Sequence, residues 1–189
     1  MQNVLMVCHS DKARALFGDV LSQCGVREVT QVGSAGEARR RMQQCDFDLC
    51  LINAPLPDEF GDRLACDMAE RADAQVILVI RAELEGEVAA RVEDYGVLTV
   101  AKPISRTVLW NAIKLADAAG RRIAMLRRKN SQLIQKIEDI RLIDRAKCVL
   151  IEYLNMTEAD AHRYIEKQAM DLRRSRRDVA ETILKTYEG

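Results

Sequence analysis

The chain has 189 residues, is 48% hydrophobic and carries 29 Lys/Arg against 29 Asp/Glu. That suffices for one medium domain plus a smaller unit, and no apolar run approaches transmembrane length. The zero net charge hides a split: residues 1–120 hold 13 Lys/Arg against 18 Asp/Glu, and residues 121–189 hold 16 against 11, so only the second part suits a polyanion.

In chain order, Val4–Val7 reads as a first strand. Ser10 can cap a helix that runs to Cys24 and ends at Gly25, with Ala13, Leu16, Phe17, Val20 and Leu21 on one face. Val29–Val32 is a second strand, and Glu37–Gln44 a polar helix. Leu49–Ile52 is a fully apolar third strand, and Phe60–Arg71 a helix after a Pro-rich loop. Val76–Ile80 is the fourth strand, Glu85–Asp94 a helix and Val97–Val100 the fifth strand. Near-continuous apolar strands alternating with helices predict an α/β doubly wound, five-stranded parallel sheet covered on both faces over residues 1–104.

Six cysteines (Cys8, Cys24, Cys45, Cys50, Cys66 and Cys148) form no C-x-x-C pair. Val4–Val7 is too short for the apolar region of a secretory signal. The cysteines therefore read as reduced, mostly buried small hydrophobes of a cytoplasmic protein. Cys8, His9, Cys45 and Cys50 fit no common zinc spacing, so neither a metal nor a cofactor is expected.

The stretches VLMVCHSDKAR, DLCLINAPLPDEFG and VAKP resemble the receiver domain of bacterial response regulators, with a flavodoxin-like fold. That resemblance implies an acidic pair after the first strand to hold Mg²⁺ and an aspartate ending the third strand to accept phosphate. Both tasks need carboxylates, because Mg²⁺ is a hard cation and an amide cannot form an acyl phosphate. Here the pair positions hold Cys8 and His9, and the acceptor position holds Asn53. The switch Ser/Thr position falls at Ile80 or Arg81, and Lys102-Pro103 alone matches. Asp11 and Asp48 are out of register. The expectation is a pseudo-receiver with a degenerate phosphorylation site at Cys8, His9, Asn53 and Lys102.

Ser105 opens a connecting helix over residues 105–143, which runs on toward Leu154. Its apolar residues keep a seven-residue period, with Ile123, Asn130 and Ile137 at a positions and Leu126, Leu133 and Ile140 at d positions. The same register takes in Leu109, Ala112, Ala116 and Ala119 upstream, where the first turns also pack on the receiver-like sheet. Ile at a, Leu at d and one Asn at a favour a parallel two-stranded coiled coil. Gly120 disfavours helix by up to about 1 kcal/mol and is a candidate bend.

Residues 144–189 read as a basic three-helix unit. Thr157-Glu158-Ala159-Asp160 and Ser175-Arg176-Arg177-Asp178 are capping boxes with Asp in the last place. Ala161, Tyr164, Ile165, Gln168, Ala169 and Leu172 share one side of the middle helix. Val179, Ala180, Ile183, Leu184 and Tyr187 form the inward side of the last. Arg173, Arg174, Arg176 and Arg177 cluster at one junction, and Arg145, Lys147, Arg163 and Lys167 lie elsewhere in the unit. Such a patch supplies phosphate contacts, and Tyr153, His162 and Tyr164 are candidates for stacking on unpaired bases.

Ala146-Lys147 with Leu150, Thr157-Glu158, Ala161, Ala169-Met170 and Val179-Ala180 resemble the ANTAR domain of transcription antitermination regulators. Cys148, Ile151 and His162 depart from the pattern. With the receiver-like part and the coiled coil, the order is similar to that of AmiR/NasR-like response regulators. The resemblance implies a non-enzymatic dimer that binds paired hairpins of a nascent leader RNA and lets transcription continue. It places the RNA contacts among Arg145, Ala146, Lys147, His162, Arg163, Lys167, Arg173, Arg174, Arg176 and Arg177. Control would come through a ligand-sensing or kinase-like regulatory protein, or a ligand, with no membrane involved. A DNA-binding regulator and a scaffold whose basic unit binds protein are the alternatives. Against DNA, Asp178, Glu181 and Glu188 on the last helix leave no clear recognition surface.

Overall fold

The structure, a computed structural model, describes residues 1–71 and 74–187. Five parallel strands, β1 (Asn3–Val7), β2 (Glu28–Val32), β3 (Leu49–Asn53), β4 (Gln75–Arg81) and β5 (Leu98–Lys102), form one sheet in the order β2-β1-β3-β4-β5. The helices are α1 (Asp11–Gln23), α2 (Ala35–Met42), α3 (Asp62–Arg71), α4 (Glu85–Val92), α5 (Arg106–Leu154), α6 (Glu158–Asp171) and α7 (Arg176–Tyr187). The expected doubly wound sheet, long helix and helical unit are all present.

Strand alternation sorts the core into two layers. Leu5, Val7, Cys50, Ile52, Leu78 and Ile80 face α2, α3 and α4, whose Ala38, Leu64, Met68 and Val88 complete that layer. Val4, Met6, Cys8, Leu51, Ile77 and Val79 face the other way, onto Phe17 and Leu21 of α1 and Leu109 and Ile113 of α5. Both sides of β3 are therefore buried, which is why its sequence has no polar residue before Asn53.

Two compact units result, residues 1–124 and 125–189. Leu109, Ala112, Ile113 and Ala116 of α5 belong to the core of the first. Gly120 also lies there. A Cβ on it would meet the Gln75 Cγ at 3.1 Å, so the glycine permits close approach to the start of β4 within an uninterrupted helix. In the second unit, Ala146, Val149 and Leu150 of α5 pack on Ala161, Ile165 and Ala169 of α6 and on Val179, Ala180, Ile183 and Leu184 of α7. Tyr164 and Leu172 lie outside this core and are exposed.

Helix starts follow their caps. The Ser10, Ser105 and Thr157 hydroxyls accept from the backbone N–H three residues on. Ser175 and Asp178 satisfy each other's backbone N–H reciprocally, at 3.1 Å each. α2 begins two residues before the expected Glu37, because Ser34 and Glu37 form a further capping box: Glu37 N–H donates to the Ser34 hydroxyl, and Gly33 N–H to the Glu37 carboxylate. Asp58, in the loop after β3, accepts from Ala35 N–H and Gly36 N–H at that same helix end. These bonds hold its carboxyl below the usual range. α3 begins at Asp62 rather than Phe60.

The expectation that the cysteines are mostly buried needs correction. Only Cys8 and Cys50 are buried, while Cys45 and Cys148 are exposed. Cys8 and Cys50 also face opposite sides of the sheet, so they cannot share a metal. Burial pushes the Cys50 thiol up to about 12.

Candidate functional site

The receiver-like pocket forms where β1, β3 and β5 end. Cys8 follows β1 and is fully buried, Asn53 ends β3 and is 8% exposed, and His9 is exposed. The Asn53 Nδ2 donates to the Cys8 Sγ at 3.4 Å, and that thiol donates to the Ser10 carbonyl at 3.4 Å. Lys102, ending β5, donates to the Ala54 carbonyl. Burial pulls its ammonium below the ordinary value; Cys8 opposes that shift and Arg81 adds to it.

Mg²⁺ does not fit this donor set. The side chains supply a thiol, an amide and an ammonium, and no anionic oxygen. Asp11 stands exposed on the first turn of α1, 3.4 Å from Arg14. Asp48 sits at the opposite end of β3, where its carboxylate accepts from Gln2 N–H and Asn3 N–H. The switch position is apolar at Ile80, which is buried, and cationic at Arg81, which pairs in register with Lys102.

On α5, the six expected dimer positions lie on the open surface. Ile123, Leu126, Leu133, Ile137 and Ile140 are 40–59% exposed, and Asn130 is exposed among them. The register positions upstream of Ile123 serve a different purpose: Leu109, Ala112 and Ala116 are buried against the sheet of their own chain. Met125 and Ile134 are also exposed, outside the a and d positions.

The basic unit divides its cations into two groups. Lys147 has a side chain only 15% exposed, held by Asp144 at 2.8 Å and Glu158 at 3.2 Å. Those hydrogen bonds raise its pKa, Asp144 contributing most. It therefore ties α5 to the first turn of α6. Ala146 is fully buried against the other two helices, so it cannot serve as an RNA contact. The Ala-Lys pair of the sequence pattern is a packing and bridging element.

Arg177 spans Asp139 of α5 at 2.6 Å and Glu181 at 3.0 Å. Arg176 meets Glu166 at 3.0 Å, and Arg163 meets Asp160 at 2.7 Å. The His162 Nε2 lies 3.4 Å from Glu166. A groove of about 550 Å³ between these helices has Ile140 and Ile143 as its apolar part, with Lys136, Lys147, Arg176 and Arg177 around it.

The second group is less engaged. Lys167 and Arg173 are exposed and have no charged partner among the described residues. Among the described residues Arg174 has no ion-pair partner, and its field adds to the lowering of the Asp178 carboxyl, which is due chiefly to Ser175. Arg145 is exposed. Tyr153 stacks on Tyr187, with ring centroids 5.5 Å apart, and Tyr164 is exposed on α6. Of the acidic residues expected on the last helix, Asp178 is exposed, Glu181 is half-buried beside Arg177 and Glu188 lies outside the described residues. Among the described residues, no helix is long and apolar enough to cross a membrane.

Comparison with known proteins agrees with this layout. Residues 131–184 match the ANTAR domain family. The chain is 31% identical over 159 residues to the transcriptional regulatory protein PdtaR of Mycobacterium tuberculosis, a match covering 82% of this chain and 77% of that protein. The fold of the first unit is similar to the signal receiver domain of an HD domain-containing protein from Pseudomonas fluorescens Pf-5. There the TM-score is 0.59 at 17% identity, over 66% of this chain and 92% of that one. It is also similar to a CheY-like response regulator receiver domain from Methanospirillum hungatei JF-1, with TM-score 0.57 at 23% identity, over 65% and 98%.

Proposed function

The chain belongs to the ANTAR-containing transcriptional regulators, a regulatory class, and from that premise we propose that it is a dimeric, RNA-binding transcription antiterminator. Its ligand is a pair of adjacent hairpins in a nascent leader transcript. The observation that carries this reading is the α6–α7 junction with the last turns of α6, where Arg173 and Arg174, together with Lys167 of α6, present exposed positive charge on a unit matched to the ANTAR family. Cations left without internal partners are the ones available to displace counterions from a phosphate backbone.

Dimerisation follows from the exposed stripe on α5. Ile123, Leu126, Leu133, Ile137 and Ile140 gain burial against a second copy, and Asn130 sets parallel register. Two copies bring two basic junctions to one RNA, so that binding at the second hairpin becomes intramolecular.

The receiver-like unit works without phosphorylation. Asn53 replaces the acceptor carboxylate, Cys8 and His9 replace the metal ligands, and Lys102 is engaged by Ala54. Control therefore comes from a regulatory protein or small ligand that masks or releases the dimer.

Binding of duplex DNA is the rival. α7 opposes it, because it ties Arg177 to Asp139 and Glu181 and exposes Asp178. A competition gel shift at one fixed salt concentration separates the two. A synthetic RNA with two adjacent stem-loops should displace bound probe at concentrations at least tenfold below those of duplex DNA of matching sequence. Equal or better competition by the duplex would favour DNA.

A further inference from the structure

Five described residues have a left-handed backbone: Gly25, Gly61 and Gly96 in the first unit, and Asn155 and Arg173 in the second, the last two both at φ 51°. Glycine adopts this conformation without steric penalty, and asparagine tolerates it. Arginine does neither. Arg173 is thus the one described position where the chain holds a long side chain in a backbone conformation that disfavours it.

The geometry there is fixed by hydrogen bonds. α6 ends in a Schellman motif, with Arg173 N–H donating to the Met170 carbonyl at 3.2 Å and Arg174 N–H to the Ala169 carbonyl at 3.0 Å. Arg173 stands where such motifs favour glycine. The helix-ending turn before α6 meets the same demand with Asn155, so this chain's own sequence shows the less strained solution.

Among the described residues, no ion pair or side-chain hydrogen bond explains the arginine. Arg176 and Arg177 are ion-paired with Glu166, Asp139 and Glu181, and Arg174 lies in the field of Asp178. Arg173 has no such partner among the described residues and is exposed, as are its sequence neighbours Met170, Leu172 and Arg174. A strained residue that stabilises nothing within its own fold points to a ligand.

Resting on the RNA-binding reading, we infer that Arg173 is a preorganised contact to the phosphodiester backbone of the RNA, kept in a left-handed turn at the expense of the unit's own stability. The Schellman bonds fix where the side chain leaves the turn, so little backbone freedom is lost when RNA arrives. The guanidinium is suited to this, being permanently charged and able to bond phosphate with two parallel N–H groups.

The test uses the full chain with R173G, R173N and R173K, and reads two properties that should move in opposite directions. Calorimetry of R173G and R173N should show the thermal midpoint of the three-helix transition rising by about 4 °C. Fluorescence titration with a synthetic RNA of two adjacent stem-loops should show affinity falling about tenfold. The slope of log K against log salt should fall by about one for each lost contact. R173K should keep the slope and leave the midpoint unchanged. Unchanged affinity and slope in R173G would overturn the inference, as would a lowered midpoint, since the arginine would then be structural. Wild-type protein that fails to bind the RNA would overturn the RNA reading itself, whereas wild-type binding with an indifferent R173G defeats the role of Arg173 alone.

Discussion

The two units handle charge in opposite ways. At the receiver-like pocket, the carboxylates a receiver would need are absent, and the remaining cation, Lys102, donates to the Ala54 carbonyl of its own unit. Around the α6–α7 junction cations are concentrated, and some are tied down, while Arg173 and, on α6, Lys167 have no charged partner among the described residues. In the pocket the Asn53 amide donates to the Cys8 thiol, while its buried Oδ1 has no hydrogen-bond partner among the described residues. A surface meant for a polyanion must leave part of its charge unsatisfied. Pairing therefore separates structural cations such as Lys147 and Arg177 from those available to a ligand, which a count of arginines does not.

Five changes bear on that contrast. The largest effect is expected from Leu133→Asp in the α5 stripe. In the proposed dimer a second chain would have to bury an unpaired carboxylate, so sedimentation should show monomer for the variant and dimer for wild type, with paired-hairpin affinity falling at least a hundredfold. Next, Ile165→Ala opens a cavity in the small three-helix core and should cost about 2–5 kcal/mol. Calorimetry should show the second unit's transition lost or strongly lowered and the first unit's unmoved.

Asn53→Asp restores only the acceptor. Incubation with acetyl phosphate and Mg²⁺ should give no labelling above wild type, because Cys8 and His9 still cannot hold the metal; robust labelling would undo the pseudo-receiver reading. Lys147→Met removes the tie between α5 and α6. It should lower the second unit's midpoint by a few degrees while leaving the salt slope of RNA binding unchanged, and a reduced slope would return Lys147 to the contact surface.

The smallest effect concerns acid. Asp139 is held low by Gln135 and Arg177, Asp160 by Thr157 and Arg163, and Asp178 by Ser175. A carboxylate with a depressed folded value stabilises above its unfolded pKa, about 3.9, and loses that contribution as pH falls through the folded value. Thermal melts between pH 6 and pH 3 should show the second unit weakening below about pH 4. Asp178→Asn should flatten that decline.

Much of the fold was legible because single residues announce it. Short continuous apolar runs such as Leu49–Ile52, bounded by turns and alternating with helical patterns, read as strands buried on both faces, and this one is. Ser10, Ser105, Thr157 and Ser175 mark helix starts through their own side chains. What escaped depended on tertiary partners. Nothing near Gly120 in sequence reveals that Gln75 lies against it, and Asp58 capping α2 acts across more than twenty residues.

At the candidate site, Cys8, Asn53 and Lys102 were legible through the resemblance to receiver domains, and the parallel sheet brings their strand ends together. Ala146 was misplaced despite an available signal, its spacing from Val149 and Leu150 along the buried face of α5. The sorting of the arginines was hidden, because Asp139 and Arg177 meet only after α7 folds back onto α5.

The most direct measurement is the stoichiometry and affinity of the full chain on two RNAs, one with both stem-loops and one with a single stem-loop deleted, in analytical ultracentrifugation at fixed salt. One dimer per two-hairpin RNA is predicted, with affinity at least tenfold above the single-hairpin RNA. A single copy bound per hairpin, with equal affinity for both RNAs, would contradict paired recognition by a dimer.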